Sequence, residues 1–223
     1  YKEAKHYYTL IKKRMPGART WLTVGGGWNL GVQEDELFKG IVDIWSTNRW
    51  MEEKINIVKS FPGAEVGIYN MASGCFIGGQ QALPVMDRVV FGFLARETEA
   101  KVVSTWTYIF SNILDSAFTH GNFGYVFPSS SKDEGTVPTI YWEAIREGVK
   151  DLKYIKTLEK LMSESKKAGK SKEAVAKAET ILAQIKQQVS TQPHSYSEMV
   201  GSKISTLAPG AYDRWRWSLA ASM

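Results

Sequence analysis

The chain has 223 residues, of which 43% are hydrophobic, 12% aromatic and 23% charged, a profile that excludes disordered and collagen-like polypeptides and leaves a folded protein with a substantial core. Its net charge of +5 arises largely in 166–186, where Lys166, Lys167, Lys170, Lys172, Lys177 and Lys186 meet only Glu173 and Glu179; without Arg or interleaved aromatics this reads as a solvated helix face rather than a nucleic-acid contact. One cysteine, Cys75, excludes an intrachain disulfide and a cysteine-based zinc site, the separated His6, His120 and His194 form no local metal pair, and no apolar run reaches the roughly 20 residues of a membrane span. Neither a metal nor a cofactor is expected.

The opening reads as an amphipathic helix already in progress, with Ala4, Tyr7, Tyr8, Leu10 and Ile11 on one face and Pro16-Gly17 as its stop, so upstream sequence is expected. RTWLTVGGG then predicts a buried strand ending in glycines, and Ile41 to Trp45 a second strand. A helix between Trp50 and Phe61 closes at Pro62-Gly63 and leads to a third strand, Glu65 to Tyr69. Another helix begins near Leu83-Pro84, followed by a strand from about Val102 to Phe110. A long loop, Ser111 to Pro138, precedes a strong helix from Pro138 to Met162, with Ala144, Ile145, Val149, Leu152, Ile155, Leu158 and Leu161 on one stripe. Helices over about Ser171–Ser190 and Gly210–Ala221 complete the chain.

Strands alternating with helices predict an α/β fold with about four parallel strands. These are either half of a (β/α)8 barrel, over 1–162, followed by a C-terminal helical segment over 163–223, or a small open sheet covered on both faces. A half barrel exposes two sheet edges and requires partner strands.

Ligands of parallel folds collect where strands end. The strand ends offer Trp28, Trp45, Tyr69, Trp106 and Tyr108 as flat apolar faces, with Asn29, Asn48 and Asn70 as amides, a mixture suited to sugar rings and hydroxyls. Trp45 and Trp106 read equally as core. Asp43, flanked by Val42 and Ile44, either points to a site or pairs with a cation. Glu34, Asp35 and Glu36 form the densest acidic cluster, of the kind glycoside hydrolysis uses, but their setting reads more as a helix N-terminus or surface turn. Gly25-Gly26-Gly27 lacks the spacing of a nucleotide loop, and no G-x-S-x-G elbow or Cys-His pair supports a nucleophilic enzyme.

The segment GNFGYVFPSSSKDEGTVPTIYWEAIREGVKDLKYIKTLEKL is the most specific part of the sequence. It resembles the carboxyl-terminal signature of a family of barrel glycoside hydrolase-like proteins related to glycoside hydrolase family 123, the β-N-acetylgalactosaminidases. Gly124, Pro128, Pro138, Glu143, Arg146, Glu147, Gly148, Asp151 and Tyr154 match the pattern, while Phe127, Thr139 and Tyr141 replace its Tyr, Ser and Arg. PGARTWLTVGG, VDIW, GAEVGIYNMAS and DRVVFGFLARETEAKVVSTWTY are similar in layout to the last four strands of such a barrel.

The resemblance implies an N-acetylhexosaminidase-like hydrolase whose adjacent Asp-Glu catalytic pair lies in the first half of the barrel, outside this chain, and an extracellular or cell-surface setting. In that reading the chain supplies a sugar-binding wall: Trp28, Trp45, Tyr69, Trp106 and Tyr108 stack on sugar rings, and Asn48, Asn70 and the loop at Tyr125 position hydroxyls. Glu143, Arg146, Glu147, Asp151 and Tyr154 are expected to be structural, since their helical spacing makes an ion-pair lattice. The expected partners are carbohydrate and the remaining half of the barrel, on the same or another chain. The competing expectation is a non-catalytic carbohydrate-binding or structural module of a larger surface assembly.

Overall fold

A computed structural model describes residues 2–24, 38–48, 52–70, 76–77, 80–81, 85–105, 126–128, 135–190 and 210–223. Helix α1 (Lys2–Arg14) precedes β1 (Trp21–Val24) and β2 (Ile44–Asn48); α2 (Glu52–Ser60) leads to β3 (Glu65–Asn70). After the short β4 (Phe76–Ile77) and β5 (Gln80–Gln81), α3 runs as Val85–Val89, a π-helical Val90–Leu94 and Ala95–Glu97 before β6 (Val102–Thr105). A hairpin of β7 (Val126–Pro128) and β8 (Thr136–Pro138) enters the long α4 (Ile140–Lys167), followed by α5 (Lys172–Ser190) and α6 (Ala211–Ala221).

The mixed α/β fold is built on a four-stranded parallel sheet in the order β1-β2-β3-β6, with β4 and β5 paired apart from it, so that the strands of the sheet follow chain order. Residues in register share a face. Leu22, Trp45 and Val66 therefore lie with Val24, Thr47, Ile68 and Val103 on one face. That face is the one the helices cover. Ile55 and Val58 of α2 and Tyr8 of α1 pack with Val24, Trp45 and Val66, while Val90 and Leu94 of α3 pack with Ile68 and Val103. The opposite face carries Trp21, Thr23, Ser46, Gly67, Tyr69 and Ser104.

Two sequence expectations shift in position. The second strand starts at Ile44, not Ile41: Phe38, Val42 and Trp45 form one unbroken apolar stretch of the core, but residues 38–41 make a turn whose Ile41 and Val42 amides both donate to Phe38 O. Pro138 ends β8 instead of opening the helix, and Thr139 is the N-cap, its Oγ1 accepting from Trp142 N at 3.4 Å.

The C-terminal helices are bound into the rest. Val89 and Phe93 of α3 share a core with Ile155 and Leu158 of α4, Leu182 and Ile185 of α5, and Tyr212, Trp215 and Leu219 of α6. Helix α4 continues to Lys167 before Gly169, at φ 65°, ends the turn.

The buried stripe of α4 is Tyr141, Ile145, Gly148, Asp151, Ile155 and Leu158. Val149 and Leu161, expected on it, are exposed. The difference has a cause in packing: a Cβ on Gly148 would stand 2.6 Å from Arg88 O, and one on Gly92 2.8 Å from Gly148 O, so α3 and α4 cross backbone against backbone.

Candidate functional site

The direction of the elements defines the two ends of the sheet. Lys101 N, after α3, donates to Val66 O near the start of β3, so the N-terminus of α3 lies toward the strands' carboxyl ends. Helix α4 runs parallel to α3, with Arg88 meeting Asp151 and Arg96 meeting Glu159. Its N-terminus and the β7-β8 hairpin consequently share that end. Among the described residues the four strands terminate there in Val24, Asn48, Asn70 and Thr105.

The register sets Asn48 beside Tyr69, and Tyr69 beside Ser104, on the face away from the helices. Tyr69 is half-buried. Asn48 and Tyr69 are thus neighbours on that face at the ends of adjacent strands, whereas Asn70, in register with Thr105, falls on the helix-covered face. Trp28, Trp106, Tyr108 and Tyr125 lie outside the described residues, as do Glu34, Asp35 and Glu36.

Trp45 takes the other course that the sequence left open. Its ring has no exposed surface, packs edge-on against Phe38 and Phe61, and donates Nε1 to Val42 O at 3.2 Å. A ring enclosed on the helix-covered face offers no plane to a sugar, which corrects its assignment to the binding wall.

Asp43 precedes β2 and so lies at the amino ends. It accepts from Lys12 Nζ at 2.5 Å, Thr20 N at 2.6 Å and Thr20 Oγ1 at 3.1 Å. Burial alone would raise its carboxyl, but the ammonium and the two Thr20 donors outweigh it and hold the pKa below the usual carboxylate value. The group ties α1 to the sheet.

The lattice on α4 reaches two other helices. Asp151, fully buried, accepts from Arg88 Nε at 2.6 Å and from Arg216 Nε at 2.6 Å. Arg216 also donates to Glu147 Oε2 at 2.5 Å and Glu147 O at 2.9 Å, and Arg88 to Asp213 Oδ1 at 2.8 Å. Hydrogen bonds from Lys150 and Arg216 lower the Glu147 pKa to about 2. Arg146 pairs with Glu143 on the exposed side, and Tyr154 is partly exposed. Near the first turns of the two helices, Tyr141 is buried and its phenol pKa is raised by desolvation and by the charge of Asp87, which is itself fully buried.

Sequence reasoning missed Trp21, Ser46 and Gly67. Trp21 Nε1 donates to Ser46 Oγ at 2.7 Å, and a Cβ at Gly67 would come within 2.1 Å of that oxygen. The legible signal was a glycine inside a strand, which marks close approach by a neighbour. Arg88 and Arg216 gave no such signal, because their partners are 63 and 65 residues away.

No protein-family model, curated protein or solved structure matches this chain. Among the described residues, no group of three or more His, Cys, Asp or Glu is arranged to hold a metal ion, and no helix is long and apolar enough to cross a membrane.

Proposed function

We propose that the chain is one wall of a parallel (β/α)8 barrel of the glycoside hydrolase type, and that it binds carbohydrate at the carboxyl ends of its strands. The observation that carries this reading is the winding: among the described residues, four parallel strands follow chain order and the helices that pack on the sheet, α1, α2 and α3, lie on one face. A doubly wound sheet reverses its strand order and covers both faces, whereas a barrel keeps one hand and one covered face. Tyr69 offers a half-buried ring near the carboxyl end of β3, with Asn48 in register beside it, at the end of the sheet toward which α4 begins. That combination suits a sugar's apolar face and hydroxyls.

The remaining strands, on the same or another polypeptide, would supply the acid/base carboxylates of an N-acetylhexosaminidase-like reaction. A second reading is a non-catalytic binding module, favoured because none of the described strands ends in an acid. Isothermal titration with N-acetylgalactosamine tests the binding claim common to both. Tyr69→Ala is expected to weaken binding by about tenfold, the order of one lost stacking contact, while Arg19→Ala, at the amino ends, leaves it unchanged. Equal affinity of the Tyr69→Ala variant and the unmodified chain contradicts the assignment, and hydrolysis of an aryl N-acetylgalactosaminide by the chain alone contradicts the placement of the carboxylates elsewhere.

A further inference from the structure

A cleft opens between α4 and α5 beside the last turn of α3. Its volume is about 580 Å³, inside the range of about 300–1,000 Å³ common to small-molecule sites. It forms because the turn at Gly169 sends α5 back along α4, while the side chains between the two helices are short. Ser163 comes from α4 and Ala183 from α5, and neither fills the space. Met162, partly buried on the shared helical core, and Leu182 make an apolar floor.

The walls are charged and unequal. Arg96, Lys166, Lys167 and Lys186 line the cleft with only Glu159 and Glu179 against them. Their ion pairs bring in two neighbours. Arg96 meets Glu159 at 2.9 Å and also Glu97, Lys186 meets Glu97 at 3.5 Å, Lys156 meets Glu159 at 3.0 Å, and Lys166 meets Glu179 at 2.5 Å. With Glu97 and Lys156 included, positive charge is still in excess by two, and Lys167 has no ionic partner among the described residues. Lys166 and Lys186 are more than half exposed, so their ammonium groups turn toward a ligand without first being desolvated.

We propose that this cleft binds a small phosphomonoester with an apolar body. At neutral pH the phosphate carries close to two negative charges, which answers the excess on the walls, and ammonium groups hold phosphate as point charges without a fixed angle. The body lies on Leu182 and on Met162, whose flexible thioether adapts to its shape. The three carboxylates interrupt the basic row, which disfavours an extended polyanion. The last turn of α3 points to the amino ends of the strands, the far end of the sheet from Tyr69, so the site is independent of the carbohydrate reading.

Amide chemical shifts of the chain, followed during separate titrations with phenyl phosphate, inorganic phosphate and phenol, test the proposal. Phenyl phosphate is expected to shift Met162, Ser163, Lys167, Leu182 and Ala183 with saturation, and to bind at least about fivefold more tightly than either fragment. Lys167→Gln should weaken it about threefold to fivefold, the order of one exposed charge contact. Lys160→Gln, whose partner is Glu164 and which does not line the cleft, should leave the affinity unchanged. Phenol binding as tightly as phenyl phosphate overturns the proposal, since the cleft is then an apolar crevice, and inorganic phosphate binding as tightly overturns the role of the floor. Unsaturable shifts spread evenly over the lysines from Lys160 to Lys186 overturn it in favour of a diffuse basic surface, as do equal losses in the two variants. Shifts at Tyr69 in place of the cleft, or none in the titration, also overturn it.

Discussion

At the level of single residues, the contact between α3 and α4 depends on two hydrogen atoms. In a free helix, Gly to Ala is worth about 1 kcal/mol of added stability. At Gly148 the new methyl would meet Arg88 O at 2.6 Å, and overpacking costs about 1–3 kcal/mol. Gly148→Ala is therefore expected to lower the thermal midpoint; a rise would show that the helices separate freely. Thr47 offers the opposite case. Fully buried among apolar neighbours, its Oγ1 has no hydrogen-bond partner among the described residues. Thr47→Val should leave stability unchanged or raise it by up to about 1 kcal/mol, because the hydroxyl was desolvated without return. A loss beyond about 1 kcal/mol in urea unfolding would mean that the hydroxyl has a partner. Trp45→Ala, by contrast, should cost about 3–5 kcal/mol as a core truncation.

At the level of elements, α6 is held by both packing and charge. Asp151 is buried with Arg88 and Arg216 on either side, and removing one member of a buried pair costs about 3–5 kcal/mol because the partner's charge stays behind. Asp151→Ala should accordingly unfold at markedly lower denaturant than Arg146→Ala, whose pair with Glu143 is solvent-exposed and worth about 0–1 kcal/mol. Equal midpoints would contradict the lattice. Glu147 adds a pH dependence: its folded pKa of about 2 lies below its ordinary 4.5, so its contribution is present above pH 4.5 and disappears as pH falls toward 2. Glu147→Gln should flatten the acid limb of stability against pH in that window; an unchanged limb would show that the pairing with Arg216 and Lys150 does not persist in solution.

The same elements show what the sequence made legible. Helix and strand types came from periodicity, and α2 to α6 fall close to their expected bounds, because each amphipathic pattern is closed by a Pro, a Gly or a capping residue. The faces were harder. Val149 was placed on the buried stripe of α4 by hydropathy, while the true stripe includes Gly148 and Asp151, one chosen for close approach and the other for distant arginines. Asp43 and Trp45 each stay open between site and structure in the sequence for a related reason: a continuous apolar run does not say where the strand begins or which of its faces the helices cover.

At the level of the whole molecule, the two ends of the sheet are unequal. The amino ends carry a stabilising network of Lys12, Thr20 and Asp43, and the carboxyl ends of the described strands carry Asn48, Tyr69, Asn70 and Thr105. This asymmetry follows from parallel strands, since all four carry their loops to the same side. The proposal of a sugar ligand rests on the resemblance and on Tyr69 at those ends. The most direct measurement is a residue-by-residue amide chemical-shift map of the chain titrated with N-acetylgalactosamine. The account predicts shifts at Asn48, Tyr69, Asn70 and Thr105 with Thr20, Asp43 and Glu65 silent; shifts concentrated at Thr20, Asp43 and Glu65, or none at saturating sugar, would contradict it.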